Sequence, residues 1–397
     1  MARGKGEGSL YKQADGLWAA SVTLPPGPGN KRRRKVIRSK NKAVVQKKLQ
    51  DLKADLRKNG DLPTSGITVE KWMAHWLDEI AVRDIRPKTL AGYRSTTTNY
   101  IVPLLGRKPL GKLSANDVRQ MEKWIRSTPK SMKLRALPPE EWPDDTPMLS
   151  GDTALLAHTA LSVALTAAVA EGYATSNVCE VAGRPSKAKT QQHALTPEEA
   201  ITLLAYVAAR PDAALWTTYI LTGARRGEIL GLEADRVSDT LDLSWQLQRI
   251  KDIESVPESF EHRHLTGTMY LTRPKSSAGL RVLPLVEPLR SVLALHMQTV
   301  KSGLVFLNPD GRPWDPDTAS KTWKKILAEA GLPSNITLHG ARHTVVDLLF
   351  DAGVSDSTIM QIVGHSSRAM TRQYQTRVNQ ELAKQAMEQM SSSLVSK

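Results

Sequence analysis

Apolar and polar positions first alternate along this chain and then recur with a helical period. Gly8-Ser9-Leu10-Tyr11 and the run Leu17 to Leu24 alternate weakly, split by the turn signal Ala14-Asp15-Gly16. Pro25 to Asn30 reads as a Pro/Gly turn, and residues 31–38 read as a third strand. The pattern predicts a three-stranded antiparallel sheet. Ala43, Val44, Leu49, Leu52 and Leu56 then form a helical stripe over 41–58, suited to covering one face of that sheet.

Asn59 to Gly66 is linker-like. Beyond it Val69, Trp72, Trp76 and Leu77 sit at helical spacing, Pro87-Lys88-Thr89-Leu90 opens a second helix, and Ser114 to Asp117 precedes a third through Trp124. Residues 127–149 hold five prolines and predict a long loop. Helical pattern resumes at Ser150, runs through Leu161, Leu165 and Val169, and stops at Gly172. A second linker starts at Arg184-Pro185. In the last region Thr196 is placed to cap a helix, with Pro197 in its first turn and Glu199 as the box partner. Strand candidates at about 241–250, 266–273 and 280–286 follow, and helices then dominate. The expected fold is multidomain α+β. Residues 1–60 form a sheet plus a helix, 65–185 an all-α domain, and 192–397 a mostly α domain with a small antiparallel sheet.

Charge sharpens this division. The 397 residues carry a formal net charge of +15, and residues 1–60 alone hold sixteen Lys or Arg against four Asp or Glu, leaving +3 for the rest. A localised positive block attracts polyanions through counterion release. Arg32, Arg33, Arg34 and Lys35 on the third strand are the candidate contacts, because a strand can enter a major groove. A solubilising or disordered basic tail is the competing explanation. No run of about 18 apolar residues occurs, so no membrane-spanning helix is expected, and the first residues lack the apolar stretch of a secretory signal. One cysteine, Cys179, and no Cys/His ligand spacing predict neither an internal disulfide nor a metal site, and fit a reducing, cytoplasmic compartment.

Four separated motifs in the last region carry candidate chemistry. They are Leu221-Thr-Gly-Ala-Arg225-Arg-Gly-Glu228 at a helix start, and Arg273-Pro-Lys275-Ser-Ser-Ala-Gly-Leu-Arg281 as a turn between two strands. His339-Gly-Ala-Arg342-His343 and Gly364-His365-Ser-Ser, followed by Thr371 and Tyr374, complete the set. Each alone is weak: a surface Arg–Glu pair explains the first, and His339 with His343 lacks the carboxylates of a metal site.

Taken in order, Arg225, Lys275, His339, Arg342, His365 and Tyr374 resemble the signature of the tyrosine recombinase (phage integrase) family, with the tyrosine nine residues after His365. The resemblance is strong over 195–380. It extends to the middle region through Pro87-Lys88-Thr89 and Glu171-Gly-Tyr173…Asn177, and the first 60 residues look like the arm-binding domain of long phage-type integrases. One departure is Val178, where the family often has Pro. The resemblance implies a site-specific recombinase that cleaves DNA through a covalent 3′-phosphotyrosine, without metal, ATP or other cofactor. It further implies core-type contacts by Lys88 and Thr89, arm-type and core-type attachment sites, a homotetramer on DNA, accessory DNA-bending proteins and a bacterial, nucleoid-associated setting.

The physical roles agree. Arg225 and Arg342 offer forked donors to the non-bridging oxygens of a five-coordinate phosphorus. The Tyr374 hydroxyl, with a reference pKa of about 10, needs a base or cations, and His339 is the candidate for that proton. Lys275, on a mobile hairpin, would protonate the departing 5′ oxygen. His365 would hydrogen-bond the phosphate, Glu228 would orient Arg225, and His343 would be structural. The stretch 378–390, with Leu382, Ala386, Met387 and Met390 at helical spacing, is expected to dock on a neighbouring protomer or within its own. A type IB topoisomerase-like strand transferase and a non-catalytic DNA-binding regulator remain the alternatives.

Overall fold

The computed structural model describes residues 9–27, 31–59, 67–186, 193–253 and 256–365. At the start, β1 (Ser9–Lys12), β2 (Trp18–Gly27) and β3 (Lys31–Ser39) form an antiparallel sheet in the order β1-β2-β3. β2 runs past the expected turn at Pro25 as far as Gly27. Its two prolines are tolerated because the register shifts between Leu24 and Gly27, where an unbroken ladder of N–H donors is not required. α1 (Lys42–Asn59) packs on β2 and β3. The stripe assigned from sequence is off by one position: Val45 is fully buried whereas Val44 is 38% exposed. The helix therefore faces the sheet through Val45, Leu49, Leu52 and Leu56, a cleaner i, i+4, i+7 repeat.

Cross-strand partners share a face, so the pairing sorts the basic strand. Val22 pairs with Lys35 and Ala20 with Ile37, and Thr23 pairs with Arg34 and Ala19 with Arg38. The Lys42 ammonium lies 4.9 Å from the Trp18 ring, on the Ala20 side, which marks that side as the one α1 covers. Arg34 and Arg38 are exposed on the other side, where Arg34 Nη2 donates to Ser21 Oγ at 2.6 Å. Lys35 is also exposed but belongs to the opposite face, so the basic run does not act as one row. The side chains of Arg32 and Arg33 lie outside the described residues.

The helical part begins with α2 (Val69–His75), a π-helical turn (Trp76–Ile80) and α3 (Ala81–Asp84) in unbroken succession. α4 (Pro87–Thr96), a second π turn (Thr97–Ile101) and α5 (Val102–Leu105) repeat the arrangement. α6 (Ala115–Arg126) starts with a capping box in which Asp117 and Ser114 exchange hydrogen bonds. The proline-rich stretch after it is an ordered excursion containing the one-turn α7 (Met132–Arg135). Its base is pinched where Lys130 N–H meets Pro147 O at 2.7 Å and Leu149 N–H meets Thr128 O at 2.9 Å. α8 (Gly151–Ala170) returns through the core, and α9 (Val178–Ala182) closes this part.

By length and mean hydropathy α8 could cross a membrane, which the search for an unbroken apolar run overlooked. Its buried side chains, including Ala154, Ala157, Leu161, Ala164 and Leu165, belong to the bundle core, and the buried Trp72 indole donates to its Ala164 carbonyl at 2.9 Å. It is a core helix. Asn177 caps α9 through Cys179 N–H (3.1 Å) and donates back to Ser162 and Thr166 of α8. Val178 then occupies the first helical position, the one that a proline would also suit.

The chain divides near residue 190 into two compact units. The second opens with α10 (Pro197–Ala208), whose Thr196/Glu199 capping box forms as expected (2.8 and 3.1 Å). α11 (Ala213–Thr222) and α12 (Arg226–Leu230) follow. The three strand candidates prove to be five short strands in two small antiparallel sheets. β4 (Thr240–Asp242) pairs with β8 (Val282–Pro284), while β5 (Gln246–Arg249) and β6 (His262–Thr266) flank β7 (Met269–Thr272). The helices α13 (Leu289–Met297), α14 (Pro316–Glu329), α15 (Leu338–Asp351) and α16 (Asp356–Val363) complete the described part. Their core is built on Trp216, Trp314 and Trp323, with ring centroids 6.0 Å from the first to each of the others.

The corrected α1 stripe is testable. Val45→Asp buries a charge and should cost about 2 kcal/mol or more, whereas Val44→Asp should stay within about 0.5 kcal/mol of neutral. Hydrogen exchange of the β2 amides reads the difference, and equal effects would contradict the register.

Candidate active site

The site is built around a buried carboxylate. Arg225 stands at the N-cap of α12 and Glu228 at its third position, so the glutamate turns back onto the helix start. Its Oε2 accepts the Arg225 backbone N–H at 2.7 Å and its Oε1 accepts Arg225 Nη1 at 2.7 Å. Arg281, just ahead of β8, fills the remaining positions, with Nη1 to Oε1 at 3.0 Å and Nη2 to Oε2 at 2.8 Å. Four donors saturate the lone pairs of one carboxylate. Burial alone would push the Glu228 carboxyl up, but the bonds from Arg281 and Arg225 hold it below the usual carboxylate range. Glu228 orienting Arg225 was anticipated; the second arginine was not.

The two phosphate-binding candidates are fixed by backbone carbonyls. Arg225 Nη2 donates to Gly364 O at 2.7 Å, Arg342 Nη1 donates to Gly223 O at 3.0 Å, and Arg342 Nη2 donates to Val363 O. Gly223 ends α11 and Gly364 ends α16, both with positive φ (57° and 71°). Neither tolerates a side chain. A Cβ on Gly223 would lie 2.9 Å from Val345 of α15, and one on Gly364 would lie 2.7 Å from Ala278 O. These helix ends therefore place His365 against the arginines. Arg225 keeps 35% of its side chain exposed, whereas Arg342 is 2% exposed. Arg225 is the more open of the two guanidiniums, and Arg342 fastens α15 to the ends of α11 and α16.

α15 is capped by Thr337, whose hydroxyl accepts Gly340 N–H at 3.0 Å, and carries His339, Arg342 and His343. His343 is buried and stands edge-on to His339, with centroids 5.4 Å apart and planes at 87°. Burial and then the Arg342 and Arg225 charges push His365 down to about 3. His339 is pushed down to about 4 by crowding around the ring and by His343, Arg342 and Arg225. His339 retains solvent exposure, so this crowding is one-sided rather than full enclosure. Both imidazoles are neutral at physiological pH.

Lys275 is placed differently from the sequence expectation. β7 and β8 belong to different sheets, so residue 275 lies on a connector between sheets and not on a hairpin tip. The connector is held at both ends. Arg273 lies over the Trp245 ring at 4.4 Å and bonds Glu261 at 3.1 Å, and Arg281 is anchored on Glu228. Between them Lys275 is exposed and makes no hydrogen bond or ion pair with any described residue. Tyr374 and the stretch 378–390 lie outside the described residues. Lys88 and Thr89 are exposed in the first turn of α4, in the other unit. Sequence reading missed Arg281 and Trp245; the only signal for Arg281 was its place at the end of the lysine motif.

With the geometry in view, comparison with known proteins is informative. Residues 193–381 match the phage integrase family, and residues 68–127 match the N-terminal SAM-like domain of phage integrases. An integrase of Saccharopolyspora erythraea is 25% identical over 93% of this chain and 92% of its own length. A prophage phiRv2 integrase of Mycobacterium tuberculosis, itself a tentative assignment, is 23% identical over 93% and 91%. Among solved structures, the Tn1549 transposon integrase in complex with transposon right end DNA superposes with a TM-score of 0.64 at 17% identity. It covers 82% of this chain and 100% of that one. A lambda integrase tetramer bound to a Holliday junction gives 0.54 at 16% identity, covering 94% and 96%.

The depressed histidines fix a sign. Each binds fewer protons folded than unfolded, so their contribution to stability is lost as pH falls from about 6.5 toward 4. Thermal melts between pH 4 and 7 should show this loss, and His365→Gln should flatten it; an unchanged acid limb would reject the assignment.

Proposed function

We infer the reaction from the premise that this chain belongs to the phage integrase family: it is a site-specific tyrosine recombinase of phage or transposon type that breaks and rejoins DNA strands. The observation that carries the detailed reading is the gathering of Arg225, His339, Arg342 and His365, from three separate stretches of chain, into one cationic cluster.

In this reading Tyr374 Oη attacks the scissile phosphorus. A 3′-phosphotyrosine bond forms, the bond to the 5′ oxygen breaks, and Lys275 supplies the proton that the departing oxygen needs. The tyrosine proton passes to His339, whose depressed pKa leaves the ring unprotonated and open to a proton at neutral pH. A phosphate between Arg225 and Arg342 would offset their charge and raise the affinity of His339 for that proton as the tyrosine attacks. Arg225 supplies the exposed fork to the non-bridging oxygens, with Arg342 and His365 behind it. One diester replaces another, so a 5′ hydroxyl from a second DNA reverses the step without ATP.

Residues 1–60 are read as an arm-type DNA-binding domain, 65–185 as a core-type domain and 192–397 as the catalytic domain. Of the basic run Arg32, Arg33, Arg34 and Lys35 assigned to arm-type sites, Arg34 on the uncovered face is the leading contact and Lys35, on the opposite face, reaches DNA only at the edge of the sheet; Lys88 and Thr89 contact core-type DNA. The neighbours solved on DNA include dimeric and tetrameric integrases, which supports a homotetramer acting on attachment sites. DNA-bending accessory proteins and a cytoplasmic, nucleoid-associated setting in a bacterial host complete the proposal.

Covalent trapping on a nicked attachment-site duplex tests the chemistry. Wild type should give a denaturation-resistant adduct, and Tyr374→Phe none; an adduct surviving in the variant would displace Tyr374 as nucleophile. Lys275→Ala should slow cleavage by about 10²–10⁴-fold. Sulfur in place of the leaving 5′ oxygen should restore the rate, since a thiolate departs without a proton, and no restoration would remove Lys275 from that role. In the full chain, Arg34→Ala should lower the salt slope of arm-site binding by about one, and an unchanged slope would reject that contact.

A further inference from the structure

Two arginines share Glu228, and they are not equivalent. The Arg281 side chain is 6% exposed and that of Arg225 is 35% exposed. Arg281 donates twice to Glu228, and its Nε donates to Ile362 O at 2.8 Å. Ile362 lies two residues before Gly364, whose carbonyl holds Arg225. Arg281 is also the last residue of the connector that carries Lys275, and the Ala278 carbonyl of that connector rests against Gly364. One buried guanidinium thus links its own motif to the Glu228 motif and to the end of α16 just before Gly364, with its side chain largely shielded from solvent.

The charges explain why a second arginine is useful there. Arg225, Glu228 and Arg281 together carry one net positive charge. Without Arg281, Glu228 would pair with Arg225 alone, and the pair would be neutral with the guanidinium drawn toward its own carboxylate. An anion approaching the exposed side of Arg225 would then meet a dipole in place of a cation. In a partly dehydrated site that loss weighs more than it would in water.

We propose that Arg281 is a positioning residue for strand cleavage: it neutralises Glu228 so that Arg225 keeps its charge for the scissile phosphate, and it ties the Lys275 connector to the turn presenting His365. The proposal rests on the recombinase reading given above. Arg281 is buried on Glu228 and the Ile362 carbonyl, so its removal should slow the chemical step and leave binding nearly intact.

The test is single-turnover adduct formation on the nicked attachment-site duplex at saturating protein, with Kd for the same duplex measured alongside. Arg281→Met should lower the rate about 10–100-fold, less than the about 10²–10³-fold lost when a preorganised donor itself is removed, with Kd changed by less than about threefold. Arg281→Lys should recover part of the rate. The discriminating variant is Glu228→Gln combined with Arg281→Met, which removes both charges and returns Arg225 to a net positive site. It should cleave at least about fivefold faster than Arg281→Met alone, whereas a purely structural role predicts equal or greater damage. If Arg281→Met does not fold, the double variant is compared with wild type: a rate within about tenfold supports the proposal and a loss beyond about a thousandfold overturns it. A wild-type adduct together with a double variant no faster than Arg281→Met overturns the role of Arg281 alone. No wild-type adduct overturns the recombinase reading, and any part of Arg281 in catalysis falls with it.

Discussion

A carboxylate cannot be taken out of water alone. Glu228 is 1% exposed and ionised, and the layout of the catalytic unit follows from satisfying it. One arginine comes from its own helix start and another from the edge of a strand more than fifty residues later, so α12 and β8 must meet. The leftover donors of those arginines then reach the carbonyls at the end of α16, which sets where His365 stands. Breaking such a buried pair typically costs about 3–5 kcal/mol. The side chains proposed for the chemistry are thus held by the same bonds that hold the fold.

Much of this was legible from the sequence, for local reasons. Capping at Thr196 and the Trp72/Trp76 stripe depend on neighbours within one or two turns, and they emerged as expected. What escaped depends on distant partners. Val44 and Val45 are equivalent by hydrophobicity, and only the sheet beneath decides which is buried. The strands around residue 275 were visible as strands, but the pairing of β8 with β4 rather than β7 is a long-range choice that a local pattern does not encode. Arg281 escaped for the same reason: its partner lies 53 positions away.

Both site histidines, His339 and His365, are held below the ordinary imidazole range and Arg342 is committed to backbone carbonyls, so the cluster coheres through its own bonds. The basic surplus of the first 60 residues is spread mainly over β1, β3 and α1, away from this cluster in the sequence.

The pinched base of the excursion between α6 and α8 bears on how this chain tolerates change. Thr128 and Leu149 are hydrogen-bonded neighbours, so the twenty-odd residues between them enter and leave through one narrow gate. Helix spacing on either side is fixed by that gate and by the bond between His158 and Glu122 (2.7 Å), not by what the excursion contains. Lengthening, shortening or replacing the segment would therefore leave α6 and α8 in register. That makes it the natural grafting point of the molecule, where new surface can be acquired by insertion without redesigning the bundle beneath.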